Sequence, residues 1–226
     1  MIAVYDAMHQ MKPAFKHVLV RHEQGGTHAA EGYAKATGKV GTVLVTSGPG
    51  ATNCVTGIAD AYMDSIPIVV FTGQVPTKMI GNDAFQECDT IGVTRSITKH
   101  SFLVRDVKDL AETVRKAYHI ARTGRPGPVV VDLPKDMLAA RAPFHYPETV
   151  SLRGYSVLGK GNHDQVEKAA QMIAESEKPL FYVGGGTISS GGSEQLVEIA
   201  RQTQIPVTTT LHGLGSFPEN APLSVG

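Results

Sequence analysis

Glu23 is the first residue in the sequence whose type and position could support proton chemistry. It lies in the segment 21–26 (RHEQGG), directly after the apolar run 17–20 (HVLV), which predicts a buried strand. Open α/β sheets bind ligands at the carboxyl ends of their strands, and a carboxyl group there loses solvation, which disfavours its ionised form. Such a group could donate or relay a proton, although a solvated glutamate at a strand end fits the same pattern.

Metal and thiol chemistry receive less support from the sequence. His22 and His28 could serve as metal ligands, but no further ligand follows at a convincing spacing, so we predict surface or core histidines and no metal site. Cys54 and Cys88 form no Cys-x-x-Cys pair, and we interpret both as structural thiols. A reducing compartment, the cytoplasm, fits this cysteine usage.

Three further stretches have compositions that allow close approach to a ligand. The turn 47–53 (SGPGATN) could bring backbone N–H groups to a ligand, but it is neither a Gly-x-Gly-x-x-Gly motif nor a P-loop, and a plain tight turn fits it as well. The segment 81–87 (GNDAFQE) lies in a long stretch without periodicity, which is typical of a functional or a mobile loop. The glycines at 184–186 suit a cofactor phosphate or ribose, or simply a turn.

Short apolar runs alternate with helical patterns and so predict an α/β fold with parallel sheets. The predicted strands cover 17–20, 40–46, 67–73, 129–131, 180–186 and 207–211. The predicted helices cover 2–11, 24–37, 51–63, a segment after an N-cap at Asp106, a segment after a cap at Asp164, and 194–203.

The same alternation predicts one nearly whole domain and part of a second. We expect a first domain at 1–140 that lacks its first strand, a linker at 141–162 rich in Pro, Gly and polar residues, and a partial second domain at 163–226. The incomplete patterns at both ends lead us to expect a chain that is truncated at both ends.

Composition excludes several classes of partner. The 226 residues carry 21 Lys+Arg and 21 Asp+Glu, so a general electrostatic grip on nucleic acid or anionic lipid is not expected. No apolar run approaches the roughly 20 residues of a membrane span, and the N-terminus lacks the pattern of a signal peptide.

Several stretches occur together and in a fixed order. They are 21–25 (RHEQG), 28–34 (HAAEGYA), 46–53 (TSGPGATN), 72–76 (TGQVP), 83–87 (DAFQE), 94–100 (TRSITKH), 124–128 (GRPGP) and 134–136 (PKD). The set resembles the acetolactate synthase family of thiamine-diphosphate enzymes over essentially the whole chain. Gly26, Lys35 and Asn82 depart from the usual family residues without removing a group that is assigned a role.

The resemblance implies a fold and a reaction. The fold would be a parallel-sheet pyrimidine-binding domain followed by the start of a Rossmann-like central domain associated with FAD. The reaction would be decarboxylation of pyruvate and carboligation to a second 2-oxo acid, which gives 2-acetolactate or 2-aceto-2-hydroxybutyrate in branched-chain amino-acid biosynthesis.

The resemblance also implies site residues. Glu23 and Gln86 would be catalytic and contact thiamine diphosphate, with Pro49 and Asn53 lining the pyrimidine pocket. Residues at the substrate entrance would be Ser65, Pro76, Phe85, Lys99 and Lys135. Residues that bind FAD would be Arg125, Gly184, Gly185, Gly186, Thr210 and Leu211.

Partners follow from the same resemblance. We expect a homodimer or higher oligomer with a shared active site, small 2-oxo acid substrates and a regulatory small subunit. The Gly-Asp-Gly and Asn-Asn stretches that hold diphosphate and Mg²⁺ in this family do not occur here, so that site would lie in a further domain and the chain alone would be inactive.

Three alternatives remain open at this point. The first is another thiamine-dependent 2-oxo acid enzyme, such as a pyruvate oxidase or a decarboxylase, against which the 85–87 (FQE) and 98–100 (TKH) segments argue. The second is a non-catalytic dimerisation or flavin-binding module. The third is a Rossmann dehydrogenase, which the missing Gly-x-Gly-x-x-Gly motif disfavours.

Overall fold

Helices and strands alternate along the chain in a computed structural model that describes residues 1–11, 14 and 16–226. In chain order the elements are α1 (Ile2–Gln10), α2 (Glu23–Thr37), β1 (Gly41–Val45), α3 (Pro49–Asn53), α4 (Val55–Met63), β2 (Ile68–Gln74), α5 (Thr90–Thr94), β3 (His100–Leu103), α6 (Leu110–Arg122), β4 (Val129–Pro134), α7 (Lys135–Ala139), α8 (His163–Glu175), β5 (Phe181–Val183), α9 (Gly186–Ser189), α10 (Ser193–Thr203) and β6 (Val207–Thr209). They form two compact units, Met1–Val157 and Leu158–Gly226.

The first unit is built on a four-stranded parallel sheet with the strand order β1-β2-β4-β3. Side chains alternate across this sheet, because successive residues of a strand face opposite sides. Ile68, Val70 and Val130 join the core cluster that also contains residues of α2 and α4. Val69 and Val129 join the opposite cluster, which contains residues of α6. Helices on both faces confirm the predicted α/β class with a parallel sheet.

Local capping explains where two helices begin and end. The ring Nδ1 of His22 accepts a hydrogen bond of 3.2 Å from the backbone N–H of Gln24, which caps the start of α2. Gly38 ends α2 with a φ of 68°, a left-handed conformation that glycine adopts without a steric penalty. The predicted cap at Asp106 is also formed, since its carboxylate accepts from the backbone N–H of Lys108 at 2.9 Å.

The predicted strand at 17–20 is wrong. These residues are not in a strand, and Val18 and Leu19 are 69% and 83% exposed. A short apolar run becomes a strand only when a neighbouring strand pairs with it, and no described strand does so here. The sheet still has four strands, because β3 (His100–Leu103) pairs with β4. The sequence did not predict β3, since its first two residues are polar. The helix predicted over 51–63 is divided at Cys54 into α3 and α4.

The second unit contains a two-stranded parallel sheet of β5 and β6. Its core contains Val183, Ala200, Val207 and Phe217. The helix α8 begins near the predicted position, with Asn162 rather than Asp164 as its N-cap, but none of its residues is buried. The apolar face predicted for this helix therefore stays exposed within the described unit.

Residues 140–162 contain no helix or strand, in agreement with the predicted change of pattern. Part of this segment nevertheless packs on the first unit, because Tyr155 donates a hydrogen bond of 3.0 Å to the carbonyl oxygen of Thr123. The division between the compact units accordingly falls after Val157, inside the predicted linker.

Among the described residues, no helix is both long enough and apolar enough to cross a membrane. Burial raises the pKa of the Cys54 thiol to about 12, which keeps it protonated and unreactive.

Candidate functional site

Glu23 and Asn53 form the direct side-chain contact at the centre of the candidate site. Glu23 is the first residue of α2, and Asn53 is the last residue of α3, the short helix that follows the carboxyl end of β1. The side-chain amide of Asn53 donates a hydrogen bond of 2.9 Å to Oε2 of Glu23. Folding thus joins two residues that the sequence separates by 30 positions.

The hydrogen bond from Asn53, and then the backbone N–H of Glu23 itself, hold the pKa of Glu23 below its usual range. Burial acts in the opposite direction but is weaker, because the side chain is only half-buried. This lowered pKa is opposite to the expectation from the sequence, in which lost solvation would raise the pKa of Glu23 and favour its protonated form. Within this chain Glu23 is therefore an ionised carboxylate that is oriented by one amide donor.

The turn from β1 into α3 lies against the loop that carries Gln86. Gly48 has a φ of 55°, and a Cβ at this position would lie 2.6 Å from the carbonyl oxygen of Gln86, so glycine is required here. Gln86 has a φ of 57°, and its side chain is exposed. Pro49, the first residue of α3, follows this turn directly. The loop that carries Gln86 therefore packs against the turn that leads into Pro49.

Glu87 closes the loop that presents Phe85 and Gln86. Its Oε2 accepts a hydrogen bond of 2.8 Å from the backbone N–H of Ala84, and its Oε1 accepts from the backbone N–H of Gly81. These donors, Gly81 first, lower the pKa of Glu87. The loop is thus held by backbone hydrogen bonds, and it leaves Phe85 87% exposed.

A buried hydrogen-bond network connects this loop to the sheet. Gln74 Nε2 donates to the carbonyl oxygen of Cys88 at 2.7 Å and to Oδ2 of Asp132 at 2.9 Å, and Thr72 donates to Oδ1 of Asp132 at 2.7 Å. Burial raises the pKa of Asp132 to about 6, although both donors oppose the shift. Gln74 appeared in the sequence only as part of the 72–76 segment, and Asp132 was not singled out. The signal that could have marked both is a polar residue inside a buried strand.

Pro76 and Lys135 lie at the same carboxyl edge of the sheet. β2 and β4 pair so that Gln74 stands opposite Pro134, and the two predicted residues follow these strand ends. Asp136 fixes the two segments together, since its Oδ1 accepts a hydrogen bond of 3.0 Å from the backbone N–H of Thr77. Lys135 itself is exposed.

Ser65, Lys99 and Arg125 lie at the opposite, amino edge, because each precedes a strand of the sheet. Arg125 Nε donates to Oγ of Ser65 at 2.7 Å, and its Nη2 donates to the carbonyl oxygen of Met63 at the end of α4. Lys99 Nζ donates to the carbonyl oxygen of Thr123 at 2.6 Å, just after α6. Both cations thus donate hydrogen bonds to carbonyl groups at helix C-termini, where the helix dipole stabilises positive charge.

The two edges are separated by the length of the sheet. A strand of seven residues such as β2 spans roughly 20 Å. Within one copy of the chain, the residues predicted for a single substrate entrance are therefore divided, with Pro76, Phe85 and Lys135 on the side of Glu23.

In the second unit, the predicted cofactor-binding residues converge at one edge of the β5–β6 sheet. The strands are parallel, so Gly184 and Thr210 follow adjacent strand ends. Thr210 N–H donates to the carbonyl oxygen of Val183 at 2.9 Å. A Cβ on Gly185 would lie 2.9 Å from the carbonyl oxygen of His212, so the strand end and the following turn are in close contact. Gly186 and Leu211 continue the two segments.

Two stretches of the chain match models of known protein families. Residues 1–93 match the model described as the thiamine pyrophosphate enzyme, N-terminal TPP binding domain. Residues 166–226 match the model described as the thiamine pyrophosphate enzyme, central domain.

Curated relatives are similar along nearly the full chain. Acetolactate synthase isozyme 3 large subunit of Escherichia coli (strain K12) is 54% identical over 217 residues, 95% of this chain and 38% of the relative. Acetolactate synthase large subunit of Haemophilus influenzae is 51% identical over 217 residues, again 95% and 38%. A protein named probable acetolactate synthase large subunit from Methanocaldococcus jannaschii is 51% identical over 229 residues, 100% of this chain and 38% of the relative. The chain thus spans about two-fifths of the length of these relatives.

Proposed function

Because the chain belongs to the thiamine pyrophosphate enzyme family, we propose that it is part of the catalytic large subunit of an acetolactate synthase. The carrying observation is the Glu23–Asn53 pair, which places an oriented carboxylate at the carboxyl edge of a parallel sheet. The identity of 51–54% to acetolactate synthase large subunits supports this enzyme over other members of the family.

The residues present fit the pyrimidine ring of thiamine diphosphate. The carboxylate of Glu23 is half-buried, so it can exchange a proton with a ring nitrogen while the amide of Asn53 holds its other contact. Pro49 follows the Gly48 turn directly, and the backbone carbonyl of Gln86 packs against that turn, so both residues are available to line the ring. When bound, the cofactor supplies the electron sink for loss of carbon dioxide from pyruvate and for addition of the two-carbon unit to a second 2-oxo acid.

In this proposal Glu23 holds and moves one proton at its carboxylate. The low pKa of Glu23 in the isolated chain keeps it ionised and ready to accept that proton. Asn53 orients the acceptor oxygen, and the loop closed by Glu87 holds Gln86 against the Gly48 turn. Glu23 thus relays a proton, the other residues hold the groups around it in position, and none of them forms a covalent bond.

We propose that substrates approach past Phe85, Pro76 and Lys135. The three residues lie on the side of the sheet that carries Glu23, and Phe85 is 87% exposed. The exposed ammonium group of Lys135 can attract the carboxylate of a 2-oxo acid.

Two copies of the chain would share each active site. Ser65 and Lys99, both predicted for the substrate entrance, lie roughly 20 Å from the carboxyl edge. They can line an entrance only if they serve a site other than the one that contains Glu23 of the same copy. This separation supports a homodimer or higher oligomer, to which a regulatory small subunit could bind.

We further propose that the glycine-lined edge of the second unit holds part of FAD. Gly186 has open space where a side chain would stand, whereas Gly185 packs against His212 and so holds the turn close to the strand end. Thr210 and Leu211 follow the adjacent strand end, so a flat ligand could approach at Gly184 and Gly186. For Arg125, which lies in the first unit, FAD binding stays a prediction. No residue of this chain is assigned to Mg²⁺.

The test compares Glu23→Gln with the unsubstituted protein that carries this chain, supplied with thiamine diphosphate, Mg²⁺, FAD and pyruvate. We expect acetolactate formation to fall by about a hundredfold or more, because amide nitrogen cannot relay the proton. Glu112→Gln is the matched control, since that surface carboxylate forms an ion pair with Lys116 one helical turn away, far along the chain from Glu23.

Two results would contradict the proposal. One is full acetolactate formation by Glu23→Gln. The other is an unsubstituted protein that converts pyruvate to acetaldehyde or acetyl phosphate without acetolactate, which would assign the chain to another branch of the family.

A further inference from the structure

Helix α2 packs against α3 and α4 along a seam that begins where Asn53 of α3 donates to Glu23 of α2. Further along the seam, Thr27 faces Gly57, and an added Cβ on Gly57 would collide with the hydroxyl oxygen of Thr27. This close approach fixes the two helices together in the middle of the seam. It therefore determines how near the side chains of the next helical turn come to each other.

The next turn brings one imidazole and two carboxylates together. His28 Nδ1 lies 2.8 Å from Oε2 of Glu31 and 3.8 Å from Oδ2 of Asp60. One potential ligand atom from each of the three residues lies within 4.8 Å of the others. His28 and Glu31 come from α2, whereas Asp60 comes from α4, so no spacing in the sequence reveals the cluster.

Glu31 is the unusual member of this cluster. Its side chain is only 6% exposed, and its Oε1 has no hydrogen-bond partner among the described residues. Burial is the largest factor that raises its pKa, and the nearby Asp60 carboxylate adds to the shift while His28 opposes it. A buried carboxylate oxygen without a donor carries a desolvation penalty that a cation would remove.

We propose that His28, Glu31 and Asp60 bind a divalent transition-metal ion such as Zn²⁺. One imidazole nitrogen with two carboxylates suits Zn²⁺ or its first-row neighbours, whereas Ca²⁺ and Mg²⁺ take oxygen ligands almost alone.

The geometry matches such an ion closely. In a tetrahedral site with bonds of about 2.0–2.1 Å, two ligand atoms lie about 3.3 Å apart. The observed separations from His28 Nδ1, 2.8 Å and 3.8 Å, bracket this value, so small rotations of exposed side chains complete the site. His28 and Asp60 are 42% and 49% exposed, which leaves the fourth position open to water.

The experiment titrates Zn²⁺ into the full 226-residue chain by calorimetry, with Co²⁺ and its visible absorption as a second probe. We expect one ion per chain at this site. His28→Ala and Asp60→Asn should each weaken binding by at least about tenfold, since even residues behind the metal ligands typically contribute that much. Both side chains are partly exposed, so these variants should fold where Glu31→Gln could fail.

A second cluster in the chain offers a matched control. His163 and Glu167 lie one turn apart on α8 with His163 Nδ1 3.5 Å from Glu167 Oε1, but both side chains are largely exposed. His163→Ala should leave the affinity unchanged. Equal binding by Asp60→Asn and the unsubstituted chain, binding lost only in His163→Ala, or a folded chain that binds no Zn²⁺ would each overturn the proposal.

Thermal unfolding without metal separates binding from folding. Asp60→Asn removes a like charge beside the buried Glu31, so the metal-free variant should be at least as stable as the unsubstituted chain. In the presence of Zn²⁺ the unsubstituted chain should be stabilised more than the variant, because its tighter binding supplies more free energy at the same Zn²⁺ concentration. An Asp60→Asn variant that is equally stabilised by Zn²⁺ would also refute the site.

Discussion

Replacing Asp132 by asparagine is expected to remove a pH dependence of stability that the buried carboxyl group creates. Asp132 is 1% exposed and lies on β4 between two donors, Thr72 Oγ1 at 2.7 Å and Gln74 Nε2 at 2.9 Å. Asparagine keeps the shape of the side chain. Because the hydroxyl group of Thr72 can also accept a hydrogen bond, the amide can be accommodated in the same network.

The sign and size follow from the raised pKa of Asp132. Burial raises it from 3.8 to about 6, so between these values the folded chain keeps a proton that the unfolded chain has released. Stability from this group is therefore fully present below pH 3.8 and is lost as the pH rises through about 6. A shift of about two units corresponds to about 3 kcal/mol.

Urea unfolding of both chains at a series of pH values measures the effect. The free energy of unfolding of the unsubstituted chain, minus that of Asp132→Asn, should fall by about 2.5 kcal/mol between about pH 4 and pH 7, which is most of the full effect. The subtraction cancels groups that titrate equally in both chains. A difference that stays constant with pH, or that rises with pH, would falsify the assignment of a raised pKa to Asp132.

Two further substitutions test the geometry around Glu23. Asn53→Ala should raise the pKa of Glu23 towards its ordinary value, because the Asn53 amide is the largest cause of its lowered pKa. NMR titration of the Glu23 carboxyl carbon measures this pKa, and an unchanged value would contradict the prediction. Gly48→Ala should destabilise the chain by about 1–3 kcal/mol, because a Cβ would lie 2.6 Å from the Gln86 carbonyl oxygen at a φ of 55°. Denaturant unfolding measures the loss, and Gly25→Ala, whose Cβ would meet nothing within 4 Å, is the control.

The sequence predicted most of the elements because their signals are local. The run 129–131 of three valines predicted β4, and Gly38 marked the end of α2 through its left-handed conformation. The run 17–20 failed for a non-local reason, since a strand exists only when another strand pairs with it. The strand β3 was missed because its histidine and serine resemble a loop until β4 is placed beside it.

The candidate site shows the same division. Local patterns singled out Glu23 and the segments 47–53 and 81–87, because turns and strand ends have compositional signatures. The roles predicted for Pro49, Asn53 and Gln86 came from the family resemblance. The local patterns could not show that the amide of Asn53 lowers the pKa of Glu23, since that depends on a contact between separate helices.

By itself, the sequence determined the α/β class, the order of most elements, the segments that carry chemistry and the resemblance to thiamine-diphosphate enzymes. Only the tertiary structure decided which of those segments meet. It divided the predicted entrance residues between opposite edges of the sheet, joined Gln74 to Asp132, and placed Asp60 beside Glu31. The physical reason is that hydrogen bonding, burial and charge repulsion act over a few ångströms in space, whereas the sequence records only neighbours along the chain.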